Sequence, residues 1–85
     1  MFSVELSQRA QKFLEKLDAH NSMRIEQRLK RLEENPIPSD AKFIGREDGD
    51  AVFRYRIGDY RALYKVIGKV VLIAKIDKRP RIYRS

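Results

Sequence analysis

Apolar and polar positions alternate at the start of the chain, where Phe2, Val4 and Leu6 are separated by Ser3 and Glu5. A period of two is the pattern of a strand with one buried face. The period then changes. Ala10, Phe13, Leu14 and Leu17 fall at i, i+3, i+4 and i+7, one stripe of a helix, with Ser7 placed to cap its first turn. Residues 18–22, Asp-Ala-His-Asn-Ser, break this helix and re-cap a second, whose stripe is Ile25, Leu29 and Leu32. Met23 is expected to join that core, and His20 to be a loop or capping residue. Glu34-Asn35-Pro36 ends the second helix, because the residue before a proline avoids helical geometry. So short a turn predicts an antiparallel helical hairpin. Residues 35–50 hold two prolines, two glycines and four acidic residues. They read as an irregular connection, with Lys42-Phe43-Ile44 as a brief extended piece.

From residue 51 the period returns to two. Residues 51–57, 60–67 and 70–76 are rich in β-branched and aromatic side chains, and Gly58-Asp59 and Gly68-Lys69 separate them. A two-residue loop with glycine first signals a type II′ hairpin. The element order is therefore β-α-α-β-β-β. It predicts an α+β fold, a helical hairpin packed on one face of a mainly antiparallel sheet, as a single domain over residues 1–85.

The Gly58-Asp59 turn also fixes a register. It sets Ile57 opposite Tyr60, Arg56 opposite Arg61, Tyr55 opposite Ala62 and Arg54 opposite Leu63. Paired residues share a face and faces alternate along a strand. Arg54, Arg56 and Arg61 should thus emerge together. Phe53, Tyr55, Ile57, Tyr60, Ala62, Tyr64 and Val66 should form the opposite face, a bed for the helices. Carried through the Gly68-Lys69 turn, the same counting sets Arg61 opposite Ile76 and brings Leu72, Ala74, Ile76 and Lys78 to the arginine face. Two arginines directly opposite one another repel, and the apolar floor beside them is costly if left wet. The face reads as a site for an anion, a protein segment, or each in turn.

Charge sharpens this picture. Residues 1–50 carry nine Lys/Arg and ten Asp/Glu, whereas residues 51–85 carry ten Lys/Arg against only Asp59 and Asp77. The whole excess of +7 lies in the strand-rich part, as expected for a partner that is a polyanion or an acidic protein. There is no cysteine and a single histidine, so disulfides and thiolate metal sites are excluded and a zinc site is disfavoured. No metal and no cofactor is expected. The N-terminus has no signal-peptide pattern and the longest apolar run, residues 70–74, is too short to span a bilayer. The expected setting is the cytoplasm, with no membrane partner.

Residues 53–66, Phe-Arg-Tyr-Arg-Ile-Gly-Asp-Tyr-Arg-Ala-Leu-Tyr-Lys-Val, resemble the central signature of the RelE/ParE toxin superfamily, the toxins of type II toxin–antitoxin modules. Residues 78–83, Lys-Arg-Pro-Arg-Ile-Tyr, resemble its terminal element, and Glu34-Asn35-Pro36 with Lys42-Phe43-Ile44-Gly45 resemble its connection. The resemblance implies a toxin that binds in the ribosomal A site and cleaves messenger RNA, or alternatively a ParE-like protein that inhibits DNA gyrase without catalysis. It implies silencing by an acidic, RelB-like antitoxin in a hetero-oligomeric complex. By the family match, Arg61 and Arg79 would hold the scissile phosphate, Arg54 and Arg56 would stand where catalytic basic residues occur, and Tyr83 would stack on or orient the nucleotide. Lys78 takes the place of a common histidine, and Arg81 joins Arg54, Arg56, Arg61 and Arg79 as an RNA contact.

Metal-free RNA cleavage needs a group to take the 2′-hydroxyl proton, positive charge for the phosphorane, and a proton for the leaving 5′-oxygen. Arginine suits the second task but holds its own proton too tightly for the third. Lys78 and Tyr83 are the proton-transfer candidates. No carboxylate presents itself as a base, Asp59 being assigned to a turn. The expected enzyme works by electrostatics and positioning, with the ribosome supplying the substrate geometry.

Overall fold

The computed structural model describes residues 1–78. In chain order the elements are β1 (Ser3–Leu6), α1 (Gln8–Lys16), α2 (Ala19–Lys30), a 3-10 turn (Arg31–Glu33), β2 (Ala41–Glu47), β3 (Asp50–Ile57), β4 (Tyr60–Ile67) and β5 (Val70–Lys78). The strands form a five-stranded sheet in the order β1-β5-β4-β3-β2. β1 runs parallel to β5 and the other pairs are antiparallel. This is the expected α+β arrangement with one strand more. The connection read as irregular contains β2, which pairs with β3 through a tight turn at Asp48 and Gly49, both at positive φ. Among the described residues no helix is long and apolar enough to cross a membrane.

Local chemistry explains the helix starts. The Ser7 hydroxyl accepts from the Ala10 amide at 3.0 Å and caps α1, while Asp18 accepts from the Asn21 amide at 3.1 Å and caps α2. The break between the helices is shorter than the sequence suggested, so His20 lies in the first turn of α2 and is exposed. Met23 is also exposed, at 58%. It stands two residues, about 200° of helical rotation, from Ile25, and so points away from the stripe that Ile25 and Leu29 make.

The core lies between the helices and one sheet face. Ala10, Leu14, Ile25, Leu29 and Leu32 meet Phe53, Tyr55, Ile57, Ala62, Tyr64, Val71, Ile73 and Ile76. At its centre the Tyr64 ring stacks on Phe53 with centroids 5.4 Å apart and meets Tyr55 edge-on at 6.4 Å. The Tyr64 hydroxyl donates to the Pro36 carbonyl at 2.8 Å, tying the connection before β2 to the middle of the sheet. Burial raises this phenol well above its ordinary range, so it stays protonated and the bond persists at any physiological pH.

The β3–β4 register is as expected: Arg56 faces Arg61, Arg54 faces Leu63 and Ile57 faces Tyr60. The β4–β5 register is not. The pairing shifts between Leu63 and Tyr64, so that Tyr64 faces Ile73 and Leu63 faces Lys75, leaving Ala74 as the extra residue of a bulge. One inserted residue reverses the alternation. Asp77, not Ile76, lies opposite Arg61, and Lys78 pairs with Tyr60 on the helix side. Ile76 is 3% exposed in the core. Leu72, opposite Lys65, keeps its expected side. The Ala74 carbonyl that the bulge takes out of the ladder accepts from the Ser7 hydroxyl at 2.8 Å, and the Ser7 amide bonds the Ile73 carbonyl at 2.9 Å. The residue that caps α1 therefore also holds the bulge.

Candidate anion site on the open sheet face

The sheet face away from the helices is divided. Toward the Gly58 turn it carries Arg54, Arg56, Arg61 and, from β5, Asp77. Toward the opposite end it carries Val52, Leu63, Leu72 and the pair formed by Lys65 Nζ and Glu47 Oε1 at 2.6 Å. That bond raises the Lys65 pKa, so this lysine stays charged and neutralises the lower border of the face.

The turn itself orders the basic end. Gly58 has φ +60°, a conformation that favours glycine at the first position of a II′ turn. The Arg24 guanidinium of α2 also lies against it, and a Cβ added at Gly58 would come within 3.0 Å of Arg24 NH2. Arg61 is 8% exposed. Its NH1 donates to the carbonyls of Gly58, at 3.2 Å, and Tyr60, at 3.0 Å. Two carbonyl dipoles thereby take up part of the charge that faces Arg56 across the strand pair. A guanidinium is a rigid fork of five N–H groups, so fixing NH1 fixes the direction of the rest.

A cavity of about 250 Å³ opens here, lined by Asp40, Lys42, Arg54, Arg56 and Arg61. Lys42 arrives because β2 sets it opposite Arg54. Asp40 arrives by another route. Arg28 of α2 has its guanidinium carbon 5.2 Å from the centroid of the Tyr55 ring. It bonds the Tyr55 hydroxyl at 3.4 Å, the Arg56 carbonyl at 3.3 Å and Asp40 Oδ2 at 3.1 Å. One arginine thus straps the helix, the β3 backbone and the connection before β2 together, and holds a carboxylate at the cavity rim. Four cations beside one carboxylate make a site for a phosphate group, since arginine forks match its oxygens and keep their charge.

Of the sequence-derived site residues, the structure brings Arg54, Arg56 and Arg61 together. It does not bring Lys78, which the bulge turns to the helix side. Arg79, Arg81 and Tyr83 lie outside the described residues. Lys42 was missed because β2 was read as irregular, and Asp40 because it lies in the connection before β2. The Asp48-Gly49 pair, a strong type I′ hairpin signal, would have disclosed β2 and with it Lys42. Among the described residues no group of three or more His, Cys, Asp or Glu side chains is placed to hold a metal ion.

Comparison with known proteins agrees with this architecture. The family described as ParE toxin of type II toxin–antitoxin system, parDE, matches residues 4–83. A relative from Methanocaldococcus jannaschii that carries the name toxin RelE1 is 34% identical over 87 residues, covering 99% of this chain and 97% of its own. The RelE–RelB complex of Pyrococcus horikoshii OT3 superposes with a TM-score of 0.82 at 28% identity, covering 94% of this chain and 97% of that one. The RelBE2 toxin–antitoxin complex of Mycobacterium tuberculosis gives a TM-score of 0.77 at 26% identity, covering 92% of this chain and 98% of that one. A match that runs through both helices and the arginine-bearing strands identifies the chain as a member of the RelE/ParE superfamily, the toxins of type II toxin–antitoxin systems.

Proposed function

We propose that the protein is a ribosome-dependent messenger RNA endonuclease that arrests translation in the cytoplasm, acting as a single domain over residues 1–85. The observation that carries this reading is the convergence of Lys42, Arg54, Arg56 and Arg61 on one cavity of the open sheet face. The scissile phosphate sits among these cations, which stabilise the charge that develops as the 2′-oxygen attacks. Arg61, the most buried and most firmly oriented of them, binds the phosphate. Arg56 is exposed and stabilises charge without giving up a proton. Arg79, Arg81 and Tyr83 complete the site by the family match, while Lys78 is a flanking RNA contact. The partner that silences the protein is an acidic antitoxin of the RelB kind. The relatives from Pyrococcus and Mycobacterium were solved as complexes with theirs.

The test is a labelled transcript incubated with purified protein, with and without translating ribosomes. Cleavage that needs the ribosome is expected, and Arg61→Ala should abolish it. A second reading is a gyrase inhibitor without catalysis, favoured by the ParE description of the matching family and by Arg56, a poor proton donor. Inhibited supercoiling with intact transcripts would establish that reading and refute the first.

A further inference from the structure

The nuclease reading leaves one chemical task open: of the proton-transfer candidates, Lys78 lies on the helix side and Tyr83 outside the described residues, and no group in the cavity has been given the 2′-hydroxyl proton. We infer that Asp40 takes it. Among the described residues it is the one carboxylate that lines the cavity. The other acidic groups of this face are engaged or distant. Glu47 is bound by Lys65 at the far end, and Asp77 Oδ1 accepts from the Lys78 amide at 2.7 Å. Asp59 lies in the turn.

Asp40 is placed as a base should be. Its side chain is 53% exposed, so substrate can reach it. It is nevertheless oriented, because Arg28 holds Oδ2 and is itself fixed by the Tyr55 ring, the Tyr55 hydroxyl and the Arg56 carbonyl. With Oδ2 occupied by Arg28, the proton goes to Oδ1. The contact with Arg28 sets the carboxylate at the rim of the cavity that the four cations line.

The step balances without any co-reactant except water. The 2′-O–H proton passes to Asp40 Oδ1 as the 2′-oxygen forms a bond to phosphorus. The bond from phosphorus to the 5′-oxygen breaks, and that oxygen takes a proton from water. The hydroxide left behind is neutralised by the proton Asp40 carries. The products are a 2′,3′-cyclic phosphate and a 5′-hydroxyl. Arg28, which touches the carboxylate and not the RNA, is a positioning residue.

This inference rests on the nuclease reading, and the experiment separates the two. Single-turnover cleavage of a ribosome-bound transcript is measured for wild type, Asp40→Asn and Asp40→Ala, each checked for folding by circular dichroism. Affinity for ribosomes carrying a 2′-deoxy transcript is measured alongside. Asp40→Asn keeps the shape and an acceptor for Arg28, and should slow cleavage by about 10²- to 10⁴-fold with affinity retained. Added formate, a small carboxylate, should restore part of the lost rate to Asp40→Ala. Rates for Asp40→Asn near wild type overturn the role of Asp40 and leave the nuclease reading intact. Loss of affinity in step with rate, or no rescue by formate, also overturns it, by showing a structural role. A wild-type protein that cuts no transcript overturns both.

Discussion

Replacing Gly58 with alanine tests how far the arginine cluster depends on one turn. The residue sits at φ +60°, where an L side chain is strained by about 1–3 kcal/mol. The new Cβ would also lie 3.0 Å from Arg24 NH2. That neighbour is the far end of a flexible side chain and can retreat, so the contact adds only about 0.5 kcal/mol, the order of an off-rotamer side chain. The sum is about 2.5 kcal/mol, which for a domain of this size lowers Tm by roughly 10–20 °C. Urea unfolding followed by circular dichroism should show a lower midpoint at unchanged slope, as expected when native-state strain is the cause. In an Arg24→Ala background the cost of Gly58→Ala should fall by the Arg24 share, because the two residues are in contact. A chemically made chain with D-alanine at 58, which takes positive φ without strain, should be at least as stable as wild type. Gly58→Ala unfolding within about 2 °C of wild type, a shift worth under 0.5 kcal/mol, would refute the assignment of strain to this turn.

Other expectations are as direct. Ser7→Ala removes the α1 cap and strands the Ala74 carbonyl, and should cost about 2 kcal/mol in a denaturant titration; a loss below roughly 0.5 kcal/mol would show that the hydroxyl does not hold the bulge. Tyr64→Phe deletes the 2.8 Å bond to the Pro36 carbonyl and should cost about 1 kcal/mol, with faster amide exchange in residues 35–40 as the local readout. Lys42→Ala should lower the magnitude of the salt slope for single-stranded RNA binding by about 0.7; an unchanged slope would place Lys42 off the RNA path. The Asp18 carboxylate is held below its ordinary value of 3.8 by its bonds to Asn21. A depressed folded-state pKa contributes stability above the unfolded value that disappears as pH falls through the folded one. Asp18→Asn, which caps without titrating, should therefore lose less Tm than wild type on acidification through that range.

Much of the site was legible because one dipeptide set its geometry. Gly58-Asp59 could close only one kind of turn economically, and the period of two then placed Arg54, Arg56 and Arg61 together. The same logic failed one strand later. Residues 70–76 are nearly all apolar, so either parity looks equally good, and a bulge leaves no mark in such a run. What selects the parity is remote: Ser7, 67 positions away, supplies the hydrogen bond for the displaced carbonyl. β2 was obscured by prolines before it, by Gly45 within it, and by Phe43 and Ile44, which are exposed where alternation would bury one of them. Asp40 was illegible for a different reason. It belongs to no periodic element and enters the cavity because Arg28, on a distant helix, reaches across the sheet edge to it.

The bulge at Ala74 gives this segment an asymmetric tolerance to genetic change. A point substitution there alters one side chain that no ladder pairing constrains. Loss of that residue would leave Lys75 opposite Leu63, Ile76 in the core and Asp77 opposite Arg61, at the cost of the bond from Ser7, whereas gain of a residue after it would slide the remainder of the strand by one place, exposing Ile76 to solvent and driving Asp77 beneath the helices among apolar side chains. Descendants of this gene can therefore vary or shed the letter at position 74 more readily than they can lengthen the stretch from the Gly68 turn to Asp77.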